Sequence, residues 1–195
     1  MWYTRRGDNG TTKTLKEAKG VRVSKSSCQT EALGALDELN SFLGILKVRA
    51  LSFPFEVKGE NLASRIHSVQ ENLFIAQAEV AGAVDKKIVV SKTKGIEELI
   101  GALERKVPPV KSFCIHGGAP SGRTGAAREL AAHLDFARAL ARRVERRVVS
   151  AKEKKEAKVS AETLAYLNRL SSLLYALVRY LHHNAGVPEA APTYK

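Results

Sequence analysis

The chain has 195 residues, 44% of them hydrophobic, which suits one folded domain with a sizeable core and excludes wholesale disorder. Its formal net charge of +12 favours anionic partners: nucleic acid, anionic lipid or polyphosphate. Two distant cysteines, Cys28 and Cys114, match no Cys-x-x-Cys spacing and argue against a disulfide framework or structural zinc, so a reducing compartment, the cytoplasm, is expected. No run of about 18 apolar residues predicts a membrane span, and the N-terminus carries no apolar h-region of a secretory signal.

The opening stretch, Tyr3–Thr12, reads YTRRGDNGTT. Its Gly-Asp-Asn-Gly core is a strong turn signal. Free backbone N–H groups and threonine hydroxyls in such a turn can also cradle phosphate oxygens. Apolar residues then recur at helical spacing from Gln29 to about Val48: Leu33, Leu36, Leu39, Phe42, Leu43 and Leu46. Ser27 or Thr30 can cap that helix. A loop with Pro54 and Gly59 follows. The spacing predicts a second helix over Glu60 to about Val84 and a shorter one carrying Ile96, Leu99, Ile100 and Leu103. The latter must end by Pro108–Pro109. VKSFCI (Val110–Ile115) reads as a short extended piece, and HGGAPSGRTG (His116–Gly125) as a loop. A fourth helix fits Gly125 to about Ala151. Lys152–Lys158 reads as a solvated connector, and a last helix runs from about Ser160 to His183.

About five helices with few strand signals predict an all-α, up-and-down four/five-helix bundle of the ferritin-like kind, preceded by a short irregular N-terminal segment. The expected division is residues 1–27 as an N-terminal loop, 28–184 as the bundle and 185–195 as a tail, all in one domain.

Three features carry candidate chemistry. In the fourth helix Arg138, Arg142 and Arg146 are four apart on one face, flanked by Arg143 and Arg147. Like charges at this spacing repel by a few tenths of a kcal/mol per pair. Glu145 offsets part of the charge. The face is either a solvated basic surface or a site where forked guanidiniums hold a polyanion. In the last helix Asn168, Ser171, Ser172, Tyr175 and Arg179 form a polar stripe, which serves either inter-helix bonding or a ligand. In the first helix Asp37 and Glu38 interrupt an apolar pattern, exposed or paired with an arginine of another helix or subunit. Two other patterns are weak. Gly117–Thr124 nearly matches a P-loop, but with Arg123 where lysine belongs and no alternating strand–helix units. Cys114 and His116 alone do not make a zinc site, and no metal site is expected from protein residues.

Taken in order, YTRRGDNGTT, RVSK (Arg22–Lys25), ALDELNSFLG (Ala35–Gly44), VQENLFIAQAEVA (Val69–Ala81), FCIHGG (Phe113–Gly118), ARALARRVERRVV (Ala137–Val149) and YLNRLSSLLYALVR (Tyr166–Arg179) resemble the PduO-type ATP:cob(I)alamin adenosyltransferases over nearly the whole chain. The resemblance implies a homotrimer of five-helix bundles with sites between subunits. It implies transfer of the 5′-deoxyadenosyl group of ATP to cob(I)alamin, with Mg²⁺ on the triphosphate. A reductase and an adenosylcobalamin-dependent enzyme are implied partners, and nucleic acid is not.

Carried over by position, Thr4, Arg5, Arg6, Gly7, Thr12, Lys13 and Lys25 fall on the family's N-terminal ATP-binding part. Arg142, Arg143, Glu145 and Arg146 fall on its R-R-x-E-R motif, and Asn168 on its L-N-R-L-S motif. Asp37 and Arg138 look like the pair formed across the subunit boundary. Phe113 looks like the aromatic residue beneath the corrin ring. Four departures stand out: His116 replaces a proline near the corrin, Ala119–Gly125 is an insertion, Asp135 replaces a common histidine and Ser172 a common aspartate. Two rival readings are a basic helical module for nucleic acid, and a corrinoid or nucleotide carrier without catalysis.

Overall fold

The computed structural model describes residues 2–15, 21–120 and 125–194. Five helices follow one another: α1 (Cys28–Ala50), α2 (Leu62–Val80), α3 (Val90–Glu104), α4 (Ala126–Glu153) and α5 (Ala161–Asn184). Helix α1 lies against α2 and α4, α4 against α5, and α3 against α5. The expected all-α bundle is therefore the observed one. Two minimal antiparallel ribbons accompany it. β1 (Thr11–Thr12) pairs with β2 (Val23–Ser24), and β3 (Glu56–Val57) with β4 (Glu60–Asn61).

The apolar spacing builds the core. Leu36, Leu39, Leu43 and Leu46 of α1 are fully buried, as are Leu73 of α2, Leu134 and Val148 of α4, and Tyr166 and Leu170 of α5. Each such side chain contributes about 1.5–3 kcal/mol on burial. Some of the polar groups inside are paired between elements, while Asn40 Oδ1 and His182 Nε2 are buried without a partner among the described residues. Asn72 Nδ2 donates to the Tyr166 hydroxyl at 3.0 Å, and Gln29 Nε2 donates to the Val80 carbonyl at 2.8 Å. Buried Glu79 accepts from the Ser160 backbone N–H at 2.7 Å and from the Thr163 hydroxyl.

Caps set the helix limits. Ser27 accepts from the Thr30 N–H to start α1, Asn61 from Ser64 to start α2, and Ser160 from Thr163 to start α5. Helix α2 is shorter at both ends than its spacing suggests. At its start, Phe55 accepts from the Leu62 N–H and Glu60–Asn61 is paired as β4. Helix α3 begins earlier than its apolar run, without a side-chain cap at Val89. The Lys152–Lys158 connector does more than solvate a helix end: Glu156 accepts from the Gln29 N–H at 3.0 Å and so satisfies an orphan donor in the first turn of α1. Val110–Ile115 forms no strand, although the Ile115 N–H donates to the Ala190 carbonyl at 2.7 Å.

Candidate functional site

The N-terminal turn forms as its residues dictate. Asp8 N–H donates to Arg5 O and Gly10 N–H to Gly7 O, with Gly10 at φ +78°, a value that suits glycine. The Gly10 carbonyl then accepts from the Lys25 N–H at 2.9 Å, which locks the turn to β2. Arg22 clamps Thr11 through both the hydroxyl and the carbonyl, each at 2.7 Å. Gly7 lies so close to Lys25 that a Cβ there would stand 3.1 Å from its Nζ. Thr4, Arg5, Arg6 and Lys13 are exposed, and Thr12 is half-buried in β1.

Helix α4 presents its arginines on two sides. On the side toward α1, Arg143 pairs with Glu38, and Arg147 stands 3.7 Å from Glu31. These two arginines, Lys25, Thr30 and Gly34 line a cavity of about 450 Å³. Toward α3 and α5, Arg138 and Arg142 line a larger cavity of about 860 Å³ with Phe113, His116, Ser172, Tyr175 and Arg179. Arg146 is exposed and borders neither. The turn therefore neighbours Arg143 and Arg147 through Lys25, whereas Arg138 and Arg142 line the other cavity.

Carboxylates divide the same way. Glu31 and Glu38, not Asp37, are acidic residues of α1 that meet arginines of the same chain. Asp37 is exposed and has no ion-pair partner among the described residues. Arg138 Nε donates to Asp135 of its own helix at 2.5 Å. Glu145 makes no close ion pair with Arg142 or Arg146 among the described residues; its Oε1 accepts from Asn168 Nδ2 at 2.7 Å. Asn168 Oδ1 accepts from Arg169, whose Nε donates to Glu97 at 2.9 Å, so α4, α5 and α3 are tied in one polar line. Among the described residues, Arg142 and Arg146 have no hydrogen bond or ion pair and remain available to an anion.

The larger cavity has an apolar wall with a few polar groups, the usual make-up of a small-molecule site. Phe113 stands 82% exposed in its lining, a costly display for an unused aromatic. The connection that carries Phe113 is tied down from the far end of the chain. Ala119 N–H donates to Pro188 O at 2.9 Å. Arg179, buried on α5, donates to Glu189 at 2.7 Å and to the Pro108 carbonyl at 2.8 Å. Gly118 has φ +75°, and a Cβ there would stand 2.5 Å from Val187. The Arg179 bond holds the Glu189 carboxyl below its usual range. Burial raises the Cys114 thiol and the Tyr175 phenol. Sequence reasoning placed Arg179 on a polar stripe but did not find Glu189, whose only signal was a carboxylate in the expected tail. Residues 121–124 of the expected insertion and near-P-loop lie outside the described residues.

The cobalamin adenosyltransferase family model matches residues 2–181. The chain belongs to that family. Among curated family members it is 37% identical over 190 residues to the corrinoid adenosyltransferase PduO of Citrobacter freundii, covering 94% of this chain and 50% of the relative. The chain thus spans about half the length of that relative. It is 30% identical to the corrinoid adenosyltransferase of Bacillus subtilis, covering 95% of this chain and 88% of the relative. Among solved family structures, a variant of the PduO-type ATP:corrinoid adenosyltransferase from Lactobacillus reuteri complexed with cobalamin and ATP superposes with a TM-score of 0.78 at 27% identity, covering 98% of each chain. A second variant of that enzyme, complexed with ATP, gives a TM-score of 0.77 at 28% identity, covering 97% of this chain and 99% of the other.

Proposed function

We propose that this protein transfers the 5′-deoxyadenosyl group of ATP to cob(I)alamin, releasing triphosphate and forming adenosylcobalamin. The observation that carries the reading is the larger cavity, where an exposed aromatic, Phe113, shares a lining with Arg138 and Arg142. Co(I) of the substrate is the nucleophile and the 5′ carbon of ATP the electrophile, so the protein needs no nucleophile of its own. It must hold the two substrates in line and stabilise the charge that grows on the leaving triphosphate. Arg142, Arg143 and Arg146 serve that charge, and Asn168 with Glu145 fixes the arginine helix beside the nucleotide. Thr4, Arg5, Arg6, Gly7, Thr12, Lys13 and Lys25 serve the phosphates from the other side. Phe113 packs beneath the corrin and disfavours a lower axial ligand, which leaves a four-coordinate cobalt that is easier to reduce.

The site is completed by a second copy of the chain. Within one protomer Lys25 borders the smaller cavity with Arg143 and Arg147, whereas Arg138 and Arg142 line the larger one, so no single cavity holds Lys25 and Arg142 together. A neighbour's N-terminal turn docked on the larger cavity brings them together, with Asp37 of one copy meeting Arg138 of the next. A ring of three such contacts is the proposed homotrimer. Exposed apolar residues support association: Ile45 and Val48 on α1, Phe74 on α2, and Phe136 on α4, which meets Phe42 edge-on at 5.2 Å. Mg²⁺ accompanies the triphosphate. The ion is proposed to be held by phosphate oxygens and water; among the described residues no three His, Cys, Asp or Glu side chains gather as a metal cage. No helix among the described residues is long and apolar enough to cross a membrane. Cytoplasmic work beside a reductase and an adenosylcobalamin-dependent enzyme belongs to the same proposal.

The test supplies ATP, Mg²⁺ and chemically reduced cobalamin and reads the light-sensitive carbon–cobalt product. Its appearance with stoichiometric triphosphate supports the reading. Tight binding of both substrates without turnover would leave a carrier, and salt-sensitive retention of DNA or RNA without specific ATP binding would leave a nucleic-acid module.

A further inference from the structure

Two of the departures from the family pattern, His116 and Asp135, turn out to be the two ends of one contact. They are 19 positions apart, on the α3–α4 connection and on α4, yet His116 Nδ1 meets Asp135 Oδ2. Asp135 is buried, with its side chain 7% exposed, and its other oxygen accepts from Arg138 Nε. The carboxylate is thus doubly satisfied, as a buried charge must be. His116 is the opposite case: its side chain is 73% exposed and lines the larger cavity three residues after Phe113.

The pairing dictates the chemistry of the exposed edge. A carboxylate accepts only, so Nδ1 carries the proton and donates to Asp135. In the neutral ring Nε2 then holds a lone pair. Among the described residues Nε2 has no partner. Asp135 therefore fixes both the orientation and the polarity of the ring, with an acceptor turned away from the helix.

We propose that His116, oriented by Asp135, is a specificity-determining contact of the larger cavity whose Nε2 accepts a hydrogen bond from a carboxamide N–H on the rim of the corrinoid. The inference rests on the adenosyltransferase reading and deepens it. A corrin ring carries primary amides around its edge, and these are the donors an acceptor on the cavity lining would meet. Phe113 supplies apolar contact without direction; His116 adds direction. Asp135 is a positioning residue, acting only through the ring.

Two variants separate this role from mere stability. His116→Ala leaves Asp135 its bond to Arg138, so no buried charge is orphaned. Asp135→Asn keeps an oxygen for Arg138 but turns an amide N–H toward His116. Nδ1 must then accept, and Nε2 becomes a donor. The experiment measures equilibrium binding of cob(II)alamin with ATP present, and of ATP alone. Each variant should weaken cob(II)alamin about tenfold, the scale of one lost hydrogen bond, with ATP affinity unchanged. The double variant should be no weaker than His116→Ala. The unmodified protein should prefer cob(II)alamin to its analogue with side-chain amides hydrolysed to carboxylates, and His116→Ala should lose that preference.

Unchanged cob(II)alamin affinity in His116→Ala overturns the proposal. So does an equal loss of ATP affinity, or an electron paramagnetic resonance spectrum showing a histidine nitrogen bound to Co(II), which would make the ring a cobalt ligand. If the unmodified protein binds no corrinoid, the adenosyltransferase reading falls and takes this with it. If it binds and turns over while the variants are insensitive, this inference alone falls.

Discussion

The side-chain amide of Asn168 reaches from α5 to Glu145 on α4 at 2.7 Å, and it engages the one carboxylate that stands between Arg142 and Arg146 in sequence. The two guanidiniums are left without an acid of their own while the helix that bears them is anchored. Arginines held ready in this way stabilise charge as it develops, with little reorganisation. Arg142→Ala should therefore lower turnover by about two orders of magnitude. Its melting temperature should be unchanged, because the side chain is exposed. Steady-state kinetics beside a thermal melt check this, and a near-normal rate would contradict the role.

Phe113 is held on a connection braced by Arg179 and by the tail, and it meets the cavity with most of its ring. Phe113→Ala should reduce the fraction of bound cob(II)alamin that becomes four-coordinate. Absorption and magnetic circular dichroism spectra with ATP present read that fraction. Spectra matching those of the unaltered protein would rule out the aromatic's assignment.

Lys25 lies against Gly7 of the N-terminal turn. Removing its ammonium should raise the KM for ATP about tenfold, the scale of a charge-assisted bond to phosphate. The KM for cob(I)alamin should stay within about twofold, since the ammonium is assigned to the phosphates and not to the corrin. Initial-rate measurements that vary one substrate at a time separate the two constants. A matching rise in both would point to general damage.

The Glu189 carboxyl lies below its usual value because Arg179 donates to it. A carboxylate lowered on folding stabilises the fold above its unfolded value, and that contribution disappears as pH falls through the folded value. The advantage of the parent over Glu189→Gln should be full near neutrality. It should begin to shrink below the ordinary glutamate value of about 4.3. Urea titrations across this range test the sign, and an advantage that grows on acidification would refute it.

Helix identity was legible because packing repeats every turn. Leu36, Leu39, Leu43 and Leu46 announce a buried stripe, and Ser27 and Ser160 announce starts. The first turns of α3 were not legible. Val90–Gly95 carries little apolar periodicity, and no cap marks Val89. The β3–β4 ribbon was hidden by its brevity, and its turn places Lys58 at φ +52° before Gly59, where an Asn or Asp would have been a clearer sign. At the site, residue types such as the α4 arginines were visible, but their partners were not. Glu38 rather than Asp37 meets Arg143, and His116 meets Asp135, because helix rotation and chain crossing decide those contacts. A spacing rule covers only neighbours on one element.

In the proposed trimer, the two cavities beside α4 have a genetic consequence. A chain lacking Lys25 keeps Arg142, and a chain lacking Arg142 keeps Lys25. Co-expressed, the two crippled forms would rescue one another, since roughly a quarter of randomly mixed head-to-tail seams would unite the sound half of each. In that assembly interallelic complementation is open to a pair of lesions with one in each cavity, and closed to a pair within the same cavity.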